Sequence, residues 1–571
     1  MNVKGTDLFV KALKEEGVDT VFGYPGGMAI DLLDSLYDEK SIDVILPRHE
    51  QALVHEADGY ARSTGKVGVC VVTSGPGATN TVTGIATANF DCVPLVVFTG
   101  QVSRDLIGND AFQEVDIVGV TRNICKYAVT VRDRKELGNI IKKAFYVART
   151  GKPGPVVVDL PLDIQRQMGP DDYPEEISIR GYKPSSGVHV GQLKKAMTML
   201  KAAKRPVILA GGGVKLAGAG AELTELATKM NIPVTTTIMG KGVIPTDNPL
   251  FIGNIGMYGN YASNRAVTEC DVLFAIGVRF SDRITGKIEE FAPKAKIIHV
   301  DIDSASISRN IVVNVPIVAD AKCALDEMLN HTDKCNTELW LESINKWKND
   351  IPITMSNYEG MTPEKIINAV NRIFPDEIVT TDVGQNQLWT TQYLFMNGKR
   401  QFLTSGGLGT MGYGLPSAIG ASIGHPGEHV ICFSGDGGAQ MNIQEMATAS
   451  LLKSPIVFCI LNNTYLGNVK QMQEMFYDRR YAATDLKSAR MYHEGDLVDR
   501  SAPYVPDFVK LAESYNAQGI RVFDENEMEK ALLAAKAKTD GPTIIEFCID
   551  CDYDVYPMVP GGKALTDMMF G

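Results

Sequence analysis

The stretch from residue 430 to 463 limits the possible folds most. It reads Val430-Ile-Cys-Phe-Ser, then Gly435-Asp436-Gly437-Gly438, an amphipathic run from Gln444 to Leu452, apolar residues from Ile456 to Leu461, and Asn462-Asn463. An apolar strand thus delivers an acid into a glycine turn, a helix follows, and a second buried strand ends on two amides. Strand, helix and strand of this kind return to one edge of a sheet. Asp436 and Asn463 therefore meet at the carboxyl edge, where open parallel sheets bind their ligands. The glycines let the backbone approach a phosphate, and the Asp436 and Asn463 oxygens suit a hard cation.

The same alternation recurs along the chain. Leu8, Phe9, Ala12 and Leu13 mark a helix ended by Gly17, and Val21-Phe22-Gly23 runs into the turn Tyr24-Pro25-Gly26-Gly27. Val44-Ile-Leu leads to Arg48-His49-Glu50-Gln51 at a helix start, and the strand at 67–73 opens into Ser74-Gly75-Pro76-Gly77-Ala78-Thr79-Asn80. Further strands lie at 94–99, 155–160, 206–210, 272–277, 297–303, 378–382 and 543–550. Strands alternating with helices predict an α/β fold of three doubly wound parallel-sheet domains, spanning 1–170, 187–340 and 362–550. The polar segments 171–186 and 333–358 read as linkers, 487–505 as a loop, and 551–571 as a C-terminal tail.

Composition narrows the function. The net charge of −12, with no basic run, argues against nucleic acid or an anionic membrane as partner. No stretch approaches 18 uninterrupted apolar residues, and the start reads as an amphipathic helix rather than a signal peptide. Ten scattered cysteines, several in apolar runs, suit reduced thiols in a cytoplasmic protein. Cys548 and Cys551 form one CxxC without a second pair, and the eight histidines include no set with metal-ligand spacing.

The segments YPGG, RHEQ, TSGPGATN, TGQV, DAFQE and GKPGPVVVDLP occur in an order that resembles the acetohydroxyacid synthase, or acetolactate synthase, family. GDG followed by Asn-Asn resembles the Mg²⁺-diphosphate motif of thiamine diphosphate (ThDP) enzymes. The resemblance implies a pyrimidine-binding first domain, an FAD-binding central domain and a diphosphate-binding third domain, with the tail 551–571 over the active site. Glu50 would activate the cofactor by acting at the pyrimidine ring, promoting the tautomer that takes the C2 proton. Gly27 would be a backbone donor near the reacting carbonyl, Phe112 and Gln113 would line the pocket, and Pro76 and Asn80 would contact the pyrimidine. Val383, Gly384, Gln385, Asn386, Gly409, Gly435, Gly437 and Gly438 would take the diphosphate, with Met411 shaping the thiamine. Asp436, Asn463 and the backbone oxygen of Tyr465 would hold Mg²⁺. A structural FAD would lie among Gly211, Gly212, Gly213, Thr236, Met239, Met257, Arg279 and Arg283, with Asp301 and Asp320 at its ribose or adenine end.

The resemblance fails at informative places. Leu162, Asn468 and Met472 stand where the family has lysine, methionine and tryptophan in its channel or acceptor pocket, Asn386 replaces a histidine, and Lys152 an arginine. Cofactor positions persist while substrate positions change. The implied reaction decarboxylates pyruvate and joins the remaining two-carbon unit to a second 2-oxo acid, pyruvate or 2-oxobutyrate, in branched-chain amino acid biosynthesis. The implied assembly is a homodimer or tetramer, with Glu50 of one copy facing the Asp436 site of another, and a regulatory small subunit as a further partner. The alternative is a related ThDP-dependent lyase or decarboxylase acting on another 2-oxo acid or dione. A non-catalytic flavin- or nucleotide-binding module is a third reading, disfavoured by the presence of Glu50, Asp436 and Asn463.

Overall fold

A computed structural model describes residues 2–184, 187–491, 493 and 503–571. Most of the loop expected at 487–505, and the end of the linker at 171–186, lie outside the described residues. The chain forms three six-stranded sheets, each parallel throughout and flanked by helices, as the alternation of strand and helix patterns predicts.

In the first sheet the order is Asp43–Ile45, Thr20–Gly23, Gly68–Val72, Leu95–Gln101, Val156–Pro161 and Tyr127–Thr130. In the third it is Phe402–Leu403, Ile378–Thr381, Val430–Gly435, Ile456–Asn462, Thr543–Cys548 and Gln518–Val522. Numbered within each sheet, both run 2-1-3-4-6-5, so the two share one winding. The central sheet runs 3-2-1-4-5-6, with Pro206–Ala210 beside Val272–Ile276 at its reversal point. Each reversal opens a crevice at the carboxyl ends of two strands, which is where this architecture receives ligands. The crevices fall at Tyr24–Gly27 with Gly75–Pro76, at Gly211–Gly213 with Gly277, and at Val383–Asn386 with Gly435–Gly438.

The strands are apolar on both faces, as buried parallel strands must be, and every residue of Gly68–Val72, Leu95–Gln101 and Ile456–Asn462 is buried. The first and third domains meet through two helices, Glu50–Thr64 and Gly414–Gly424. The approach is close enough that a Cβ on Gly59 would strike Ser417 O, and one on Gly420 would strike Glu56 O. A buried ion network reinforces this seam. Arg62 bonds Asp58 at 2.6 Å and Asp91 at 3.0 Å, Tyr413 donates to Asp58 at 2.7 Å, and Gly406 N donates to Asp91 at 3.1 Å.

One expectation differs from the structure. Residues 333–358 are not simply a linker, because helix Glu338–Asp350 buries Trp340 and Ile344, one turn apart, against the central domain. Trp340 Nε1 also donates to Pro206 O at 3.1 Å, so the central unit extends past residue 340. Residues 551–571 join the central and third domains: Val559 N donates to Met257 O at 2.7 Å, and Gln392 Nε2 to Tyr556 O at 3.1 Å.

Candidate active site

The third sheet builds the most constrained part of the site. Val430–Gly435 and Ile456–Asn462 pair in register, Gly435 against Leu461, which places Asp436 and Asn463 at neighbouring strand ends. Asp436 is buried, and its Oδ2 has no hydrogen-bond partner. Burial pushes its carboxyl up to about 7, opposed by a hydrogen bond from the Tyr504 hydroxyl and by nearby backbone N–H groups. Gln440 Nε2 donates to Tyr504 Oη at 3.0 Å and fixes that phenol. Asn463 Nδ2 donates to Gln385 Oε1 at 3.2 Å, and its Oδ1 accepts Tyr465 N at 3.1 Å. Asn386 Oδ1, also buried, is unpartnered as well. Partnerless buried oxygens in a glycine-lined crevice fit a hard divalent cation and the phosphate it would carry.

The glycines of this crevice are required by close packing. A Cβ on Gly438 would lie 2.5 Å from Asp382 Oδ1, and one on Gly437 would lie 2.6 Å from Leu466 Cδ2. Gly384 and Gly409 have φ of +122° and +73°, and Met411 Cε lies 3.7 Å from the Cβ position of Gly437. Asp382 was missed in the sequence, although it repeats the signature of Asp436, an acid between an apolar strand and a glycine turn. It is buried, accepts Val383 N at 2.8 Å, Gly412 N at 3.0 Å and Gly414 N at 3.1 Å, and burial raises its carboxyl to about 6.

At the corresponding edge of the first sheet, Glu50 opens its helix and is buried, with Oε2 accepting Asn80 Nδ2 at 2.9 Å. Asn80 closes the short helix Pro76–Thr79 after the strand Gly68–Val72. Gly27 is exposed in the turn after Thr20–Gly23, and Gln113, at φ +58°, packs against Gly75. Phe112 is 84% exposed, an unusual state for a large apolar ring. Leu162 stands at this same edge, at the end of strand Val156–Pro161.

A cleft of about 1380 Å³ lies among the three domains. It is bordered by Phe90 and Lys152, by Met257, Tyr258, Arg279, Arg283, Asp303 and Ser304, and by Val383, Gly384, Gln387, Gly409, Asn468 and Met472. The structure thus brings together Met257, Arg279, Arg283, Val383, Gly384, Gly409, Asn468 and Met472. Among the described residues lining the cleft, Glu50, Gly27, Pro76, Asn80, Phe112, Gln113 and Leu162 do not appear. The central glycines stand beside it. A Cβ on Gly213 would be 2.6 Å from Gly277 Cα, and one on Gly212 would be 3.0 Å from Met239 Cβ. Thr236 Oγ1 accepts Asn254 Nδ2 at 2.9 Å. Asp301, raised to about 6 by burial, accepts Asp303 N at 2.9 Å, while Asp320 caps helix Ala321–Leu329. Lys152 pairs with Asp303 at 3.4 Å inside the cleft.

Comparison with known proteins agrees with this geometry. Residues 3–120 match the thiamine pyrophosphate enzyme N-terminal TPP-binding domain, 193–328 the central domain, and 382–547 the C-terminal TPP-binding domain. The chain is therefore a thiamine pyrophosphate enzyme, one with all three of the domains that define that class. It is 44% identical to a probable acetolactate synthase large subunit of Methanococcus aeolicus, across 99% of this chain and 95% of that protein. Identity is 42% to the acetolactate synthase large subunit of Haemophilus influenzae and 41% to the isozyme 3 large subunit of Escherichia coli, each across 99% of this chain and 98% of the relative. The chain belongs to the acetolactate synthase large-subunit family.

Proposed function

We propose that this chain catalyses acetolactate formation with thiamine diphosphate, Mg²⁺ and a structural FAD. Pyruvate loses its carboxyl carbon as CO₂, the remaining two-carbon unit bonds to the keto carbon of a second 2-oxo acid, and that keto oxygen takes up one proton. No net electrons move, so the flavin serves structure. Thiamine diphosphate, when bound, supplies the carbanion-stabilising centre.

The observation that carries this reading is the partnerless Oδ2 of buried Asp436 at the crevice of the third sheet. Asp436, Asn463 and the Tyr465 carbonyl would hold Mg²⁺, and the Val383–Asn386 and Gly435–Gly438 turns the diphosphate. Arg279 and Arg283 give the cleft two cations for a substrate carboxylate or the flavin. Glu50 would hold a proton at the pyrimidine ring, oriented by Asn80.

Glu50 and the Asp436 crevice occupy matching edges of two domains, yet only the latter adjoins the cleft. Two copies that pair head to tail would bring the Glu50 edge of one over the Asp436 crevice of the other, covering exposed Phe112. A homodimer is thus the smallest complete enzyme, with a small subunit as an additional partner, as the relatives' designation of large subunit suggests. A cytoplasmic setting suits free cysteines, of which Cys70, Cys270, Cys335, Cys432 and Cys459 are buried.

The test is product analysis with pyruvate alone. Acetolactate with one CO₂ per product is expected, from a yellow protein that retains flavin on gel filtration. Acetaldehyde and CO₂ without acetolactate would favour the lyase or decarboxylase reading.

A further inference from the structure

Tyr258 and Asn468 meet in the cleft from two different domains. Tyr258 Oη donates to Asn468 Oδ1 at 3.2 Å, and both residues line the cavity beside Met257, Met472 and Gly384. Tyr258 follows strand Phe251–Asn254 of the central domain, whereas Asn468 stands in the first turn of helix Gly467–Phe476. That helix starts hard against the candidate cation site, since a Cβ on Gly467 would strike Gln385 Oε1 and lie 2.7 Å from Asn463 Nδ2. Asn468 is therefore anchored close to where chemistry would occur.

The bond fixes the amide. Burial raises the Tyr258 phenol to about 12, so it keeps its proton and acts as donor. Oδ1 of Asn468 is thereby engaged, and Nδ2 has no partner among the described residues, on a side chain that is only partly buried. Asn468 thus keeps an N–H donor to spare in a cleft that the apolar side chains of Met257 and Met472 also line.

We propose that the Tyr258–Asn468 pair recognises an oxygen on the side chain of the acceptor, so that the preferred acceptor is a 2-oxo acid carrying a hydroxyl or carbonyl oxygen on carbon 3. This inference rests on the acetolactate synthase reading and names the substrate class of that same cleft. An alkyl acceptor strips water from Nδ2 and offers nothing in return, whereas an oxygenated one takes the hydrogen bond. The reaction balances as before: the acetyl unit of pyruvate bonds to carbon 2 of the acceptor, CO₂ leaves, the keto oxygen takes one proton, and the carbon 3 oxygen is unchanged.

The experiment is a competition on holoenzyme loaded with thiamine diphosphate, Mg²⁺ and FAD. Isotopically labelled pyruvate is the donor, and equal amounts of 3-hydroxypyruvate and 2-oxobutyrate, which differ by hydroxyl for methyl, are the acceptors. The hydroxylated product is expected in excess by about tenfold, less than a fully buried hydroxyl site achieves because Asn468 is partly exposed. Tyr258→Phe, which frees the amide to turn, lowers that ratio several-fold, and Asn468→Met inverts it. Calorimetric titration with the unreactive acids glycerate and 2-hydroxybutyrate gives a readout free of turnover. Glycerate binds more tightly to the unmutated protein, and Asn468→Met abolishes the difference. A native preference for 2-oxobutyrate, or a preference that neither substitution moves, overturns the proposal while acetolactate formation from pyruvate alone leaves the underlying reading standing. Absence of that acetolactate overturns both.

Discussion

Glu56, on the helix that begins at Glu50, lies close enough to the carboxylate of Glu445, across the seam between the first and third domains, for that charge to act on its own buried carboxyl. Neither Glu56 oxygen meets an N–H or O–H donor, whereas Glu445 accepts Arg48 N at 3.0 Å through both oxygens and Thr448 Oγ1 at 2.7 Å. Glu445 is thus the anion and Glu56 carries the proton. Arg48 lies two residues before Glu50, so this pair holds the backbone that enters the catalytic helix. Complete burial, and then the charge of Glu445, raise the Glu56 carboxyl well above its ordinary value. For an acid raised on folding, the folded state binds more protons than the unfolded state. Its contribution is present in full below about 4.5 and is lost as pH rises through the raised folded value. Glu56→Gln keeps a donor toward Glu445 without a titrating proton. Thermal unfolding of the variant should fall less steeply with rising pH than that of the unmutated protein. Parallel slopes would refute a proton held on Glu56 in the folded state.

Asp436→Ala removes the charged oxygen of the candidate cation site. The loss of Mg²⁺-dependent thiamine diphosphate affinity should exceed the roughly 10–100-fold that removal of an outer-shell partner costs. Titration with and without chelator measures it, and undiminished affinity would count against the whole cofactor assignment.

Glu50→Gln should leave the fold and cofactor binding largely intact while lowering turnover by about 10²-fold or more. The Asn80 contact at 2.9 Å survives in part, because the Gln carbonyl still accepts it. Exchange of the cofactor C2 proton, followed by NMR, isolates the activation step. Mixing this variant with Asp436→Ala should restore activity, since mixed dimers contain one site with both residues intact. No recovery on mixing would place Glu50 and Asp436 of one copy in the same site.

Arg62→Ala leaves Asp58 and Asp91 buried without their cation. Breaking a buried pair from one side costs about 3–5 kcal/mol. Denaturant unfolding should show a loss of this size, and a loss below about 1 kcal/mol would match a solvent-exposed pair instead.

Met472→Trp should raise the preference for 2-oxobutyrate over pyruvate. One additional methylene against a well-shaped wall is worth about 1–3 kcal/mol, and a mobile thioether recovers only part of it. The ratio of the two products in competition reports the change. A native preference that is already strong, and unchanged in the variant, would remove residue 472 from the acceptor wall.

How far the molecule was legible depended on whether a signal was local. Val430–Gly435 with Asp436, and Ile456–Asn462 with Asn463, each carry an apolar strand and a polar terminus within ten residues, and the parallel pairing follows. Asp382 bears the same signature, but one acid before one glycine does not reveal that three N–H groups converge on it. Helix Glu338–Asp350 looked like linker because its charged face dominates the composition. Its buried stripe reduces to Trp340 and Ile344. Contacts between domains were not legible. Tyr258 and Asn468 are 210 positions apart, and nothing near either announces the other. Leu162 aligned with a pocket position by motif and stands at the Glu50 edge, and whether that edge borders a pocket is decided by assembly and not by spacing.

Asp382 has a thermodynamic consequence. Because it already gathers the N–H groups of Val383, Gly412 and Gly414, the turns that would receive a diphosphate are ordered before any ligand arrives. Association there resembles a key entering a cut lock more than a segment folding onto its guest. Its calorimetric signature should be a small negative heat-capacity change, well short of that of coupled folding. Replacing Asp382 with Asn would shift the cost of ordering these turns to the moment of binding, and the heat-capacity change should grow accordingly.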